Sequence, residues 1–399
     1  MQAQPVLHKL LMNTCSPMHK VRRQALEANV LAALTGQRLT VTALGRAIQS
    51  EAKQKHCIKR ADRLLSNGHL QSECLPIYRA IALRLIGSRQ RPIILIDWSD
   101  MDDSKRHFLL RASVPVVGSS QTLYEEVHDN GTKEKPETHR RFLMRLQAML
   151  PETCRPILVT DAGFRTPWFK LVEAYGWDWI GRIRHRHHAA LPGTDAWFAA
   201  KDLYAQATST EKYLGEYQLT KRQPVACQLV LYLGKPKGRV RKNRSGERSR
   251  SAQSLQQAAK EKEPWLLATS LAPRVGLAKK VVWLYRLRMQ IEESFRALKS
   301  DRFGLGMNAH LSYQTKRLQV LVLIATLALM VVWLLGKMTE NQGRHRDYQA
   351  NSIKNRRILS TIFLGLTVMH DWRIAFTVNE INIAWLDLDE GIQQQCIIR

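Results

Sequence analysis

The sequence predicts an α/β protein with helical regions at both ends, on three observations. Short apolar runs of strand length recur between Ile93 and Ile183 and alternate with segments of helical periodicity. From Val6 to about Ile86 apolar residues keep a three- and four-residue spacing, and Leu318 to Gly336 is almost continuously apolar. With 399 residues, 45% of them hydrophobic, the chain can bury the cores of two or three domains. Lys and Arg number 61 against 34 Asp and Glu, a net charge of +27. Such an excess repels itself unless a polyanion is present, and nucleic acid fits better than a membrane surface.

The first region, 1–88, reads as a helical domain broken near Thr35-Gly36-Gln37, Ser50 and Asn67-Gly68. Within it, Thr40 to Ile48 followed by the basic stretch Lys53 to Arg63 has the form of a helix-turn-helix whose second helix enters a major groove. A purely structural bundle has the same pattern; the charge favours DNA binding.

At Arg89 to Pro92 the composition shifts. Ile93 to Ile96 reads as a buried strand ending at Asp97, His107 to Val117 and Thr122 to His128 as two more joined at Gly118-Ser119-Ser120, and Glu137 to Leu150 as an amphipathic helix. Pro156 to Thr160 is a buried strand ending at Asp161, Pro167 to Tyr175 a helix, and Trp179 to Ile183 a strand. Three strands, helix, strand, helix, strand is the order of a ribonuclease-H-like core: a mixed sheet flanked by helices, in which acids at the ends of the first and fourth strands become neighbours. The first part of this core spans 89–185.

Residues 186–275 read as a β-rich insertion, with alternation at Tyr213–Leu219 and Val225–Leu233. The stretch 235–250 holds eight Lys or Arg and one Glu; a solvated loop and a phosphate-touching loop both fit. The core resumes over 276–336. Leu318 to Gly336 approaches membrane-spanning length, but Gln319 and Thr326 interrupt it, so a buried helix is expected. The region 337–399 reads as helical, with Ile358 to Met369, Trp372 and Trp385 forming a candidate dimerisation surface.

The chemistry concentrates in Tyr285 to Lys299. On one continuous helix, Tyr285, Arg288, Glu292 and Lys299 fall at roughly 0°, 300°, 340° and 320°, an arc of about 60° in which one acid is framed by cations and a phenol. Glu293 points about 80° from Tyr285 and is the poorer ligand. Two-metal phosphodiester cleavage needs carboxylates around ions about 4 Å apart, and Mg2+ prefers such oxygen donors. Asp97, Asp161 and Glu292 supply three. An acid after a strand is often only a cap, whereas Asp100, Asp102 and Asp103 lie in a polar turn and are expected to be solvated. Arg184-His185-Arg186-His187-His188 lacks a carboxylate and reads as a basic DNA-facing edge. Cys15, Cys57, Cys74, Cys154, Cys227 and Cys396 form no CxxC pair, which points to reduced thiols in cytoplasm rather than to zinc or disulfides. No signal-peptide pattern or GxxxxGK[ST] motif is visible.

The pattern Tyr285-x2-Arg288-x3-Glu292-x6-Lys299, with Asp97 and Asp161 upstream, resembles the signature of the insertion-sequence-four family of DDE transposases. The resemblance implies cut-and-paste transposition. Terminal inverted repeats are bound and paired in a homodimeric complex, one strand is nicked, a hairpin forms and is opened, and the 3′-hydroxyls join target DNA. It implies Asp97, Asp161 and Glu292 as catalytic metal ligands for two Mg2+ ions, Mn2+ substituting, and Tyr285, Arg288 and Lys299 as phosphate-binding residues. It further implies a bacterial, nucleoid-associated cytoplasmic protein, with a host DNA-bending protein as a candidate partner and no membrane. Glu263-Pro264-Trp265-Leu266 resembles the context of the family's base-stacking Trp, and Met289 is a candidate wedge where a flipped base departs; core packing is the ordinary role of both residue types. The competing readings are a repressor that binds ends without cutting, a nuclease that cuts without joining, and a membrane protein.

Overall fold

A computed structural model of the chain describes residues 2–15, 17–184, 187–235, 247, 249, 251–252, 254–255, 262–353 and 355–396. It divides into two compact units, Met1–Cys154 with Met289–Arg399, and Arg155–Arg288.

The first unit begins with α1 (Ala3–Thr14), α2 (Lys20–Gly36), α3 (Val41–Ala47), α4 (Gln54–Leu65) and α5 (Gly68–Ile86). The Thr40 hydroxyl accepts the Ala43 N–H at 3.1 Å and the Asn67 amide oxygen the Leu70 N–H at 2.9 Å, so α3 and α5 start where capping residues allow. α3 and α4 cross at Gly45, where an added Cβ would stand 2.6 Å from the Ile58 nitrogen. Only glycine permits that approach. Cys57, Ala61, Leu64 and Leu65 face inward, while Lys55, His56, Lys59, Arg60 and Arg63 are exposed on α4.

Strands β1 (Ile93–Asp100), β2 (His107–Val116) and β3 (Ser119–Asp129) form an antiparallel meander in the order β3-β2-β1, followed by α6 (Pro136–Met149). β1 does not end at Asp97. Trp98, Ser99 and Asp100 continue the ladder opposite Leu110, Leu109 and Phe108, so Asp97 lies within the strand. Nor is Asp102 solvated: the turn folds back on itself, and Asp102 accepts from Ser104 at 2.6 Å and lies 3.3 Å from the His107 ring. Burial opposes ionisation, but these bonds and the Arg106 N–H hold its carboxyl below the usual range.

In the second unit β4 (Ile157–Thr160) lies parallel to β5 (Asp178–Ile183), joined through α7 (Thr166–Ala174). β6 (His188–Ala190), β7 (Phe198–Ala199), β8 (Lys212–Leu219), β9 (Val225–Tyr232) and β10 (Trp265–Thr269) follow, then α8 (Leu277–Leu287). The strand order is β4-β5-β10-β9-β8-β6-β7. The β-rich segment is therefore no separate sheet: β10 lies antiparallel on β5, with Ala268 opposite Gly181, and extends the sheet that carries Asp161 at the end of β4. His185, Arg186 and most of the basic stretch 235–250 lie outside the described residues.

The chain returns to the first unit with α9 (Met289–Lys299), α10 (Thr315–Asn341), α11 (Thr361–Val368) and α12 (Val378–Cys396). α10 is long and apolar enough to cross a membrane by composition, with mean hydropathy 2.7, yet 89% of that window is buried in the protein. It packs against α1, α2, α5 and α11. At Gly336 and Gly365 the α10 and α11 backbones touch, since an added Cβ would stand 2.8 Å from the Thr361 carbonyl carbon or 2.9 Å from that of Val332. The helix expected from Ile358 starts only at Thr361, because the Ser360 hydroxyl accepts the Phe363 N–H at 3.2 Å and caps it there. Trp385 is buried and Trp372 exposed.

Candidate active site

Asp97 sits in the middle of β1, 8% exposed, and its Oδ1 accepts the Trp98 N–H at 2.8 Å. Its cross-strand partner is Arg111, and directly opposed residues of an antiparallel pair point to the same face. Arg111 fixes which face that is. It is 1% exposed, donates from Nη1 to the Ser294 hydroxyl at 3.1 Å, and lays its guanidinium 4.7 Å over the Phe295 ring. Asp97 therefore faces α9, the helix that bears Glu292.

Arg111 is itself held by Glu125, Nε to Oε2 at 2.7 Å, with both side chains buried. The Glu125 carboxylate also accepts from the Tyr78 hydroxyl at 3.0 Å and from the Thr326 hydroxyl. A buried charge pair survives only when its remaining lone pairs are satisfied, and here α5 and α10 supply the donors. The sequence reading passed over this pair. Its one signal was a charged residue in the middle of an otherwise apolar strand.

On α9, Lys299 donates to the Ser99 hydroxyl at 2.9 Å and the Asp100 carbonyl at 3.2 Å. Burial lowers its pKa, against the pull of nearby Asp100 and Asp97. Two of its three N–H donors are thus engaged by the protein, leaving one for a phosphate. Glu292 lies two turns earlier and about 20° away on the wheel, so it shares the flank that reaches β1. Two turns retreat about 10 Å along a helix, and Asp97 precedes Ser99 and Asp100 by about 8 Å of strand. Asp97 and Glu292 accordingly lie at one level of the layer between β1 and α9. Glu293 takes the other flank, exposed, 3.5 Å from Arg296 and beside Val117, Gly118 and Ser119.

The continuous signature helix is not observed. α8 stops at Leu287 and α9 starts at Met289, and at Arg288 the N–H bonds Tyr285 O at 3.1 Å, a tightened turn in place of the α-helical bond. The Arg288 backbone itself keeps helical angles, φ −53° and ψ −31°, and the phase argument for Glu292 and Lys299 rests on 289–299 alone, within one unit. Tyr285 and Arg288 belong to the second unit, and Met289, Glu292 and Lys299 to the first. Met289 is half-buried at the start of α9.

In the second unit Asp161 follows β4, half-buried, and its Oδ1 accepts the Gly163 N–H at 2.8 Å. Trp265 opens β10 half-buried, edge-on to Tyr232 at 5.8 Å and to buried Tyr285 at 5.0 Å. Arg286 lies 5.0 Å over Tyr232 and Arg288 5.8 Å over Tyr285. Aromatic faces interleaved with guanidinium groups suit a nucleobase and its phosphate. Tyr232 was not singled out from sequence, and only its register opposite Trp265 reveals it.

Among the described residues no three His, Cys, Asp or Glu side chains form a ready cage for an ion. Asp97 and Glu292 in the first unit and Asp161 in the second each offer carboxylate oxygens, the donors that a hard divalent cation prefers. A family model described as a transposase DDE domain matches residues 88–330. No curated protein matches the chain.

Proposed function

The chain belongs to the transposase DDE domain family, and from that premise we propose a cut-and-paste transposase of the insertion-sequence-four type, most like that of insertion sequence ten in length, acid spacing and β-rich segment. Family membership makes it a divalent-metal-dependent enzyme, generally Mg2+-dependent, that cleaves and joins DNA strands. The proposal concerns the residues, the number of ions and the course of the reaction.

Asp97, Asp161 and Glu292 would hold two ions. The chemistry supplied by bound ions is activation of water or a 3′-hydroxyl and stabilisation of the leaving oxygen. Arg288 and the remaining donor of Lys299 hold phosphates near the terminal nucleotide, with Tyr285 beside them. Water cuts one strand; the freed 3′-hydroxyl attacks the opposite strand and closes a hairpin. A second hydrolysis opens it, and the 3′-hydroxyl then attacks a target phosphodiester, forming a new bond to phosphorus as the target strand's 3′-oxygen leaves as a hydroxyl. Trp265 receives the base that leaves the stack at the hairpin, and Met289 fills the space behind it. α3 and α4 bind the inverted repeats. Domains 1–88, 89–185, 186–275, 276–336 and 337–399 serve end binding, catalysis, insertion, catalysis and dimerisation, in a nucleoid-associated homodimer assisted by a DNA-bending protein.

The observation that carries this reading is the placement of Asp97 on the face of β1 that meets α9, fixed by Arg111 and Ser294. Linear inverted-repeat DNA incubated with Mg2+ and resolved on a denaturing gel tests it. Wild type and Glu293→Gln are expected to give nicks, hairpins and strand-transfer products. Glu292→Gln should bind ends and give none; normal nicking by that variant refutes the assignment.

A further inference from the structure

A cavity of about 620 Å³ opens in the second unit immediately after Asp161. Its walls come from three separate segments: Ala162 to Pro167 at the start of α7, Arg184 and His187 beyond β5, and Thr220 to Gln223 in the β8–β9 turn. Three guanidinium groups, Arg165, Arg184 and Arg222, line it, and no carboxylate does. Arg184 is tied to Glu263 at 3.1 Å. Among the described residues Arg165 and Arg222 have no carboxylate partner, and both are exposed. The nine-residue α7 has no acid in its first turn, so its positive end adds to the same field.

The cavity is built as well as charged. The Thr166 and Thr220 hydroxyls bond at 2.7 Å and join two of its walls. The His187 Nδ1 donates to the Arg184 carbonyl at 3.1 Å, which ties the wall beyond β5 to itself.

We propose that this cavity is a second DNA-binding subsite, holding a backbone phosphate close to the one cleaved at Asp161. The anion preference stands on the cavity alone; its assignment to DNA rests on the transposase reading. Two strands can supply that phosphate, the DNA flanking the element or the target DNA, and each leaves a different mark.

The test compares wild type with Arg165→Ala, Arg222→Ala and the double variant, after thermal melts show unchanged folding. Binding of a short fluorescein-labelled oligothymidylate is followed against salt, a readout that requires no catalysis. Each lost contact should lower the slope of log K against log salt by about 0.7, and affinity should fall about tenfold per guanidinium removed. With flank-bearing ends, slower nicking but normal joining of precut ends identifies the flank. Normal nicking with slower joining to a target plasmid identifies the target strand. An unchanged salt slope overturns the subsite whether or not the rates fall, because a rate loss without it is structural. Variants that lower the slope as expected, in a protein whose wild type never cleaves, overturn the transposase reading and leave the anion site standing.

Discussion

Replacing Arg111 by Met tests the buried pair that ties β2 and β3 to the helix bearing Glu292. The guanidinium is 1% exposed and touches Glu125, Ser294 and the Phe295 ring. Removing it strands the Glu125 carboxylate with only the Tyr78 and Thr326 hydroxyls. Breaking a buried pair from one side costs about 3–5 kcal/mol, because the remaining charge has lost its solvent and its counterion. For a unit of this size each kcal/mol lowers Tm by about 2–4 °C, so a fall of about 6–20 °C is expected. Arg111→Met/Glu125→Leu removes both charges and should recover most of that loss, since two apolar groups replace two desolvated ones. Calorimetry on the wild type, both single variants and the double variant measures the coupling. The stable double variant then separates folding from positioning: with Ser294, on the helix that bears Glu292, no longer held by Arg111, nicking should slow about tenfold while end binding stays normal. Two outcomes refute the reasoning: Arg111→Met within about 1 kcal/mol of wild type, or a double variant as unstable as the sum of the singles.

Three further outcomes follow from particular contacts. Gly45→Ala pushes a Cβ into the Ile58 backbone, so it should cost about 1–3 kcal/mol by overpacking and weaken binding of inverted-repeat DNA in gel shifts; unchanged affinity argues against α3 and α4 as the end-binding pair. Burial pushes the His139 imidazole down to about 4 from 6.5, with His128 adding to the effect, and its Nε2 accepts from the Trp98 indole at 3.3 Å. Because the folded pKa is depressed, this stability is complete above about pH 6.5 and is lost as pH falls towards 4, by about 3 kcal/mol. Urea melts across that window should show the loss, and His139→Gln should flatten it. Trp265→Ala removes a stacking surface worth about 1–3 kcal/mol per base, so hairpin formation should fall about tenfold or more while first-strand nicking is retained; 2-aminopurine at the terminal position, unquenched in wild type, would sink the stacking role.

Much of this molecule is visible in the sequence because its signals are local. β1, β4 and β5 appear as apolar runs, the N-terminal helices as three- and four-residue spacing broken near Thr35-Gly36-Gln37, Ser50 and Asn67-Gly68, and the candidate acids as Asp97, Asp161 and Glu292 beside or within apolar elements. α10 was separable from a membrane span by Gln319 and Thr326, which bond the β3 backbone at Glu125 and Val127 and the Glu125 carboxylate. What the sequence left open depends on register and on contacts between distant segments. Arg111 meets Glu125 only because the β2–β3 hairpin, with its irregularity between Ala112 and Ser113, sets that register. β10 joins β5 across more than eighty intervening residues, so the β-rich segment extended the sheet. The break at Arg288 carries no local signal, since no Gly or Pro marks it. The sequence by itself thus determined the class of element and the acids proposed to carry the chemistry, because period and residue type are properties of neighbours in the chain. Only the tertiary structure decided which face Asp97 takes, that Arg111 pairs with Glu125, and where Arg165, Arg184 and Arg222 meet, because burial and strand pairing join residues far apart in sequence.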